Sequence, residues 1–322
     1  MNIETCRKIF VKYGGKEIDT PVMEHKDTLM EKYGEEGKKL IYSLSEEQTN
    51  EKLALRYDLT VPFSRYLGMN GIASMKRFQI GKVYRRDQPQ VSKGRYREFY
   101  QCDFDFCGEQ TLPMIQEGEI LSLVYNVIKT LLDPLGLNFI IKINDRKLLN
   151  LCLALCGVNG PDMVKSVCQS IDKLDKVEFE DIIGELISKG LSEENITKIR
   201  EFISYKGDIM GILGFVKDSL DNEESLSFAK ELSTSPKFNE IYEEFSILTS
   251  YLTSRDVNIS PSDDGGLVNG GGYEYNEIVS GIEFDFSLCR GLDYYTGLIY
   301  EVKVLDEGFK KKVSCFIINF IL

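Results

Sequence analysis

One stretch of the chain, residues 76–108 (KRFQIGKVYRRDQPQVSKGRYREFYQCDFDFCG), constrains its fold more than any other. Two runs rich in apolar and aromatic residues, 77–84 and 99–106, flank a polar loop that contains Pro89 and Gly94. Runs of this kind, joined by a loop with proline and glycine, are typical of an antiparallel β-hairpin. We therefore predict a two-stranded hairpin with a long polar tip.

The hairpin is basic, although the chain carries a formal net charge of −12 at pH 7. Basic side chains far outnumber acidic ones between residues 76 and 98: Lys76, Arg77, Lys82, Arg85, Arg86, Lys93, Arg95 and Arg97 against Asp87 and Glu98. A solvated basic surface is the usual interpretation of such a run. Because the alternation places several arginines on one face, we favour an anionic partner, and phosphate suits guanidinium groups well.

The histidine and cysteine content narrows the chemistry. The single histidine, His25, has no nucleophile near it in sequence, so we interpret it as a surface loop residue. The eight cysteines contain no CxxC pair, which favours reduced thiols in the cytosol over a disulfide framework or a zinc site. Catalysis would then rely on arginine, carboxylates and a metal ion, which favours phosphate chemistry over hydrolase chemistry.

The two ends of the sequence favour a cytoplasmic protein. The N-terminal MNIETCRKIF has neither a long apolar run nor the Arg- and Ser-rich character of a targeting peptide. The longest apolar run, residues 315–322, is far shorter than the ~20 residues of a membrane helix. We predict a cytoplasmic chain without membrane association.

The periodicity of apolar residues divides the chain into three segments. Residues 1–145 and 256–322 mix strand and helix patterns, whereas residues 146–255 are acidic, helical and poor in strand signals. Within the helical segment, Ser192 is predicted to cap a helix. We predict an α+β fold in which helices flank an antiparallel sheet and a helical module is inserted between its strands. The remaining patterns predict a helix that begins near Pro62, helices at 3–13, 27–33 and 113–135, and strands at 39–44, 139–143, 282–286 and 298–302.

Two short segments carry candidate pocket residues. In LALRYDLTVPFSRYL, Asp58 lies at a strand–helix junction, where it would either cap the helix or face a ligand, and the pattern leaves both open. In RGLDYYTGLIYEV, Arg290 and two tyrosines lie between two strands and offer a cation, hydroxyl donors and aromatic walls. A packed aromatic hairpin is the alternative for this second segment. The glycine-rich residues 261–272 lack the GK[ST] of a P-loop, and we interpret them as a loop.

Taken together, these segments resemble the histidyl-tRNA synthetase family of class II aminoacyl-tRNA synthetases. KVYRRD…GRYREFYQCDFD is similar to motif 2 of that family, LRYDLTVPFSRYL to its histidine-binding segment, and RGLDYYTGLIYE to its histidine-recognition motif. EIDTPV resembles motif 1, which implies that Pro21 lies at a homodimer interface. The DLT triplet that contains Asp58 resembles the eukaryotic cytosolic type. The resemblance implies a class II antiparallel sheet in catalytic segments 1–145 and 256–322, and an insertion domain at 146–255 that contacts the tRNA acceptor arm.

The resemblance also implies which residues bind ATP. Arg85 would bind the α-phosphate together with the histidine carboxylate, and Arg290 would act as a second cation on the α-phosphate. Asp87 would contact the adenine amino group, Arg95 would reach the β- and γ-phosphates, and Phe99 would stack on adenine. In this assignment Arg85 and Arg290 are the catalytic residues, and ATP acts with Mg²⁺.

The amino acid would be bound on the other side of these arginines. The substrates implied are L-histidine, ATP and tRNA(His). The residues that would hold the amino group of histidine are Asp58, Thr60, Gln101 and Asp105, and those that would form the imidazole pocket are Tyr294 and Tyr295.

The resemblance does not cover a whole synthetase. After Glu301 the sequence carries neither the family's motif 3 nor its anticodon-binding domain, and the family's short segment upstream of residue 3 is absent. We therefore expect a chain truncated before motif 3, with a tail at 310–322 that reflects a truncation or a gene-model artefact. Three functions stay open: a histidine–tRNA ligase, a catalytically inactive relative that binds histidine or tRNA, and a non-functional fragment.

Overall fold

The computed structural model describes residues 3–32, 39–44, 52–86, 96–109, 112–175, 177–218, 227–259, 280–289 and 296–305. The chain divides into two compact units. The first unit comprises residues 1–111, 126–135 and 306–322, and the second comprises residues 112–125 and 136–305. The predicted three-segment division into 1–145, 146–255 and 256–322 stays a prediction.

The first unit is built around the hairpin. Its helices are α1 (Ile3–Lys12), α2 (Lys26–Lys32) and α3 (Thr60–Asn70). Its strands are β1 (Lys16–Glu17), β2 (Met23–His25), β3 (Leu53–Leu55), β4 (Met75–Tyr84) and β5 (Glu98–Cys107). Strand β4 pairs antiparallel with β5 and parallel with β1, and β2 pairs antiparallel with β3. The predicted hairpin is confirmed.

Aromatic packing fixes one face of the hairpin. The ring of Phe10 on α1 lies 5.4 Å from that of Phe78 on β4 and 5.6 Å from that of Phe104 on β5. All three side chains are fully buried. Since successive side chains of a strand point to opposite faces, this packing turns the odd-numbered residues of both strands to the other face.

The second unit contains a mixed sheet and most of the helices. The sheet order is β7 (Lys206–Gly207), β8 (Gly281–Asp285), β6 (Phe139–Asp145), β9 (Leu298–Val304). Strand β6 is parallel to β8 and antiparallel to β9. Helix α4 (Ile115–Leu132) passes from the second unit into the first. The helices that follow β6 are α5 (Arg146–Leu155), α6 (Pro161–Ile171), α7 (Phe179–Ser188), α8 (Glu193–Ile203), α9 (Ile209–Asp218), α10 (Ser227–Ser233) and α11 (Pro236–Ser254).

Most of the predicted elements agree with the structure, and two need correction. The cap is confirmed, since Ser192 Oγ accepts a hydrogen bond from Asn195 N at 3.2 Å. The strand predicted at 39–44 is wrong over most of its length. Lys39 is helical, and the segment pairs only through an isolated antiparallel bridge between Ser43 and Ala54, beside buried Ile41. The helical segment also contributes the two-residue strand β7 to the sheet. In the part of the chain that the structure describes, no helix has the length and apolar character needed to cross a membrane.

Candidate active site

A row of polar residues lies on the face of the hairpin opposite the aromatic packing. The strand register pairs Arg77 with Asp105, Gln79 with Asp103, and Gly81 with Gln101. Gln101, Asp103 and Asp105 are alternate residues of β5, so they share this face. The structure thus brings together Gln101 and Asp105, which the sequence predicted, and adds Asp103 between them.

Arg77 and Asp105 form a fully buried ion pair. Arg77 Nη2 contacts Asp105 Oδ2, and both side chains are 0% exposed. The same nitrogen donates to Leu59 O at 2.9 Å, and the guanidinium carbon lies 4.4 Å from the centre of the Phe63 ring. Arg77 therefore holds the start of α3 against β4, and it balances one of the buried carboxylates.

The structure narrows the prediction that the basic hairpin binds an anionic partner. Arg77 has a carboxylate partner on the opposite strand, and Lys82 Nζ lies 2.7 Å from Glu98 Oε1. The physical reason is the strand register, which brings each of these cations within reach of an acidic side chain. The charge of each of these two cations is therefore paired within the hairpin.

The carboxylates beside Arg77 outnumber it. Burial, followed by the negative charge of Asp105, raises the pKa of Asp103 to about 8. Burial also raises the pKa of Asp105 to about 6, although the Arg77 cation opposes that shift. The charge of Asp58 raises the pKa of both carboxyl groups. A small cation would offset the excess of carboxyl groups over the one guanidinium group in this cluster.

Asp58 caps the helix whose start it precedes. Its Oδ1 atom accepts hydrogen bonds from Thr60 N at 3.1 Å and from Val61 N at 3.2 Å. The cap interpretation that the sequence left open is confirmed. The charge of Asp58 also acts on Asp103 and Asp105, so the carboxylate both caps α3 and belongs to the acidic cluster. Thr60 is buried at the first position of that helix.

Several buried acceptor oxygens of this cluster have no hydrogen-bond donor among the residues that the structure describes. They are Gln101 Oε1, Asp103 Oδ1 and Asp105 Oδ1. The Arg77 Nε and Nη1 atoms likewise lack an acceptor there. A buried polar atom without a partner costs ~1–3 kcal/mol, so a ligand with positive charge and several N–H donors would relieve the largest part of this deficit.

Arg85 and Phe99 meet where the two strands of the hairpin end. The guanidinium carbon of Arg85 lies 5.1 Å from the centre of the Phe99 ring and 4.3 Å from that of Tyr57. Arg85 Nε donates to Tyr57 O at 3.3 Å, and Arg85 N donates to Arg97 O at 3.0 Å. Unlike Arg77, Arg85 is only half-buried. Among the described residues its contacts are aromatic rings and carbonyl groups, which do not neutralise its charge.

Arg56 supports this end of the hairpin. Its side chain is 4% exposed, and it donates from Nε to Lys82 O at 2.7 Å and from Nη1 to Thr20 O at 2.6 Å. Gly81 provides the necessary space, because a Cβ atom there would lie 2.6 Å from Arg56 Nη2. The residue after Thr20, Pro21, is exposed, as is Met23 at 55%. The interface predicted at Pro21 stays a prediction.

Sequence reasoning missed the supporting residues of the site. The alternation of Gln101, Asp103 and Asp105 was sufficient to find Asp103, because all three must share a face. Arg56 and Arg77 had no comparable signal, since an arginine in a strand pattern is equally compatible with an exposed position.

The remaining predicted site residues, Asp87, Arg95, Arg290, Tyr294 and Tyr295, lie outside the described residues. Within the described ranges, no group of three or more histidine, cysteine, aspartate or glutamate side chains is arranged to hold a metal ion. The described residues therefore do not supply a ready Mg²⁺ site.

The chain is similar to known proteins over nearly its full length. The family model for histidyl-tRNA synthetase matches residues 3–313. The chain is 42% identical over 300 residues to histidine–tRNA ligase of Caenorhabditis elegans, which covers 93% of this chain and 51% of that protein. It is 41% identical over 306 residues to the cytoplasmic histidine–tRNA ligase of Takifugu rubripes, which covers 94% and 51%, respectively.

A solved structure is similar in fold. Histidyl-tRNA synthetase from Nostoc sp. PCC 7120 superposes with a TM-score of 0.71 at 24% identity, over 94% of this chain and 60% of that one. The chain spans about half the length of the curated relatives it matches.

Proposed function

The chain belongs to the histidyl-tRNA synthetase family, and from that premise we propose that it acts as a histidine–tRNA ligase. In the proposed reaction the carboxylate of L-histidine attacks the α-phosphorus of ATP. The bond between that phosphorus and the oxygen that bridges it to the β-phosphate breaks, so histidyl-adenylate forms and pyrophosphate leaves. The histidyl group then passes to tRNA(His), and AMP is released.

The observation that carries this proposal is the row of buried acceptors on β5. Gln101, Asp103 and Asp105 present oxygens that lack donors in the described part of the chain. Asp58 adds a further negative charge. The ammonium group of an amino acid offers one positive charge and three N–H donors, so it supplies both things that this cluster lacks.

Arg85 is the residue that we propose for the phosphate side. Adenylate formation brings two anions together, so a guanidinium group that binds both lowers the barrier. Phe99, whose ring lies 5.1 Å from the Arg85 guanidinium carbon, would stack on adenine. The attacking carboxylate is already ionised at neutral pH, so the step requires no side-chain base. This accounts for how a chain with a single histidine would perform the reaction.

The other roles are carried over from the family to matching positions. Arg290 would be a second cation on the α-phosphate, Asp87 would contact the adenine amino group, and Arg95 would bind the β- and γ-phosphates. Tyr294 and Tyr295 would form the imidazole pocket. Thr60 would join Asp58 at the amino group.

The wider setting is part of the same proposal. Mg²⁺ would enter with ATP as the counter-ion of the nucleotide. Two copies of the chain would associate through the edge that contains Pro21, and the reaction would take place in the cytoplasm. The helical segment 146–255 would contact the acceptor arm of tRNA(His).

Histidine-dependent exchange between ATP and pyrophosphate tests the proposal. We expect exchange only when histidine is present. We expect Arg85→Lys to lower its rate by about 100-fold, because lysine cannot bind two oxygens in the bidentate manner of arginine. Arg86→Lys is the matched control, because the neighbouring Arg86 side chain is exposed and has no assigned role. Equal effects of the two substitutions would contradict the role of Arg85.

The result of the exchange assay also separates the alternative functions. No exchange above background at saturating substrates would reject a working ligase. Calorimetric binding of histidine without exchange would then assign the chain to inactive relatives that bind histidine. Binding of neither histidine nor ATP would leave only the fragment.

A further inference from the structure

Asp103 is not among the residues that the family resemblance assigns to the substrates, yet it is a fully enclosed carboxylate beside Gln101. Its side chain is 0% exposed. Its Oδ2 atom accepts a hydrogen bond from Gln101 Nε2 at 2.9 Å, while Oδ1 lacks a donor in the described part of the chain. It also lies between the two β5 residues assigned to the amino group, on the same face.

We propose that Asp103 is a positioning residue, which fixes the Gln101 side chain so that its carbonyl oxygen accepts a hydrogen bond from the ammonium group of the bound amino acid. The inference rests on the proposed function, to which it adds a residue that acts on the substrate through Gln101. Asp103 itself need not touch the substrate.

The first step of the argument is the polarity of the amide. A glutamine side chain ends in an NH₂ group, which only donates, and an oxygen, which only accepts. Rotation by 180° exchanges the two, so an unrestrained Gln101 would present either one to a ligand. Because Asp103 Oδ2 accepts the bond from Nε2, the NH₂ group is engaged, and Oε1 is left as the acceptor without a donor.

The second step is the charge around Asp103. The groups that face it are Asp105 on the same strand, Arg77 on β4 and Asp58 at the start of α3. Burial and the two carboxylates raise the pKa of Asp103, and Arg77 and the Gln101 amide lower it. A protonated carboxyl group still has an accepting carbonyl oxygen, so the restraint on Gln101 holds at neutral pH. The arrival of an ammonium group would favour the ionised form of Asp103, and a proton would be released.

The test is isothermal titration calorimetry on the full chain with two ligands, L-histidine and imidazolepropanoate, which is the same molecule without its amino group. We expect wild-type protein to bind histidine more tightly than the analogue. Asp103→Ala should weaken histidine binding by about tenfold, because a hydrogen bond to a charged group is lost. Its affinity for imidazolepropanoate should change by less than about twofold, because that ligand makes no bond to Gln101 Oε1.

Two further variants separate positioning from general damage. Asp103→Asn keeps an accepting oxygen, so it should retain the preference for histidine while losing the proton release, which is measured by repeating the titration in buffers of different ionisation enthalpy. Gln101→Ala should lower the preference for histidine by about as much as Asp103→Ala does, and adding Asp103→Ala to it should have no further effect. Cys102→Ala is the matched control, because this neighbour points to the opposite face of β5 and should leave both affinities unchanged.

The possible outcomes are distinct. Equal weakening of both ligands by Asp103→Ala, or additive losses in the double variant, would overturn the positioning role. If Asp103→Asn loses the preference as Asp103→Ala does, the accepting oxygen is not the cause, and the proposal is again rejected. Should Asp103→Ala not fold, Asp103→Val, which also lacks an accepting oxygen, is titrated with both ligands and judged by the same two outcomes. If wild-type protein does not prefer histidine to the analogue, the proposed function fails first, and this inference fails with it.

Discussion

Replacing Arg77 with methionine should destabilise the hairpin unit strongly. Methionine fills much of the same volume but removes the cation that is paired with Asp105, the donor to Leu59 O and the guanidinium group over Phe63. Both members of the ion pair are completely buried, so water cannot replace the lost partner. Removing one member of a buried ion pair costs ~3–5 kcal/mol. We expect a loss of that size in the free energy of unfolding, against the ~5–15 kcal/mol that typically stabilises a domain.

The loss should depend on pH in a defined direction. Without the Arg77 cation, burial would raise the pKa of Asp105 further, so the folded state would hold a proton that the unfolded state releases above about pH 4. Since the folded state then binds more protons, stability falls as pH rises through this window. The deficit of Arg77→Met relative to wild type should therefore be smaller at pH 5 than at pH 8.

The chain offers controls for both parts of this prediction. Arg7→Met removes an arginine whose partners Glu4 and Glu17 are exposed, and it should change the stability far less than Arg77→Met does. Adding Asp105→Asn to Arg77→Met removes the unpaired charge, so the double variant should be more stable than the sum of the two single losses.

Urea denaturation followed by far-ultraviolet circular dichroism is a suitable assay, because the chain contains no tryptophan. A deficit for Arg77→Met no larger than that for Arg7→Met would refute the reasoning. A deficit that does not change between pH 5 and pH 8 would refute the assignment of the loss to an unpaired carboxylate.

Three further substitutions probe other features of the structure. Gly81→Ala should destabilise the protein by ~1–3 kcal/mol in urea denaturation, because the new Cβ atom would meet the Arg56 guanidinium group. Gly68→Ala, on the open face of α3, is the control and should stabilise it by up to ~1 kcal/mol. Equal effects of the two substitutions would contradict the proposed contact between residue 81 and Arg56. Asp145→Ala should lower the thermal midpoint, because it removes the carboxylate that caps α5, at a cost of ~0.5–2 kcal/mol; Asp145→Asn should retain most of the stability. Because the pKa of Asp103 is raised, its contribution to the stability of the wild-type protein should be lost as the pH rises from about 4 to about 8. Asp103→Asn should remove this part of the pH dependence. If the stabilities of the variant and the wild-type protein change with pH in parallel, Asp103 is not the cause.

Periodicity was sufficient to predict most of the regular structure. The hairpin and the helices at Ile3–Lys12 and Ile115–Leu132 followed from runs of apolar residues, since each buries one face. The family resemblance assigned Gln101 and Asp105 to one site, and their odd-numbered positions on β5 place them on the same face. The strand predicted at 39–44 was wrong. The burial of Ile41 in this segment depends on a cluster with Leu29 and Val61, which a local pattern of apolar residues does not reveal.

The chemistry of the site was harder to predict than its place. The number of basic residues suggested a face for phosphate, but the cross-strand register gives Arg77 and Lys82 carboxylate partners. Only the strand register distinguishes these two paired cations from Arg85, which contacts the aromatic rings of Tyr57 and Phe99. A count of charges along the sequence averages over these ion pairs. It therefore predicted a positive face, whereas the face that carries Gln101, Asp103 and Asp105 has an excess of carboxyl groups.

The bridge made by Arg56 has a mechanical consequence. One guanidinium group joins the carbonyl of Thr20, in the segment between β1 and β2, to that of Lys82 on β4, so the movements of these two positions are coupled. Movement of the exposed edge at Pro21 displaces the arginine, and the arginine in turn pulls on the end of β4, three residues before Arg85. Load applied at Pro21 would therefore reach the end of β4 through Arg56, in parallel with the hydrogen bonds that Gln79 makes to Asp19 and Thr20.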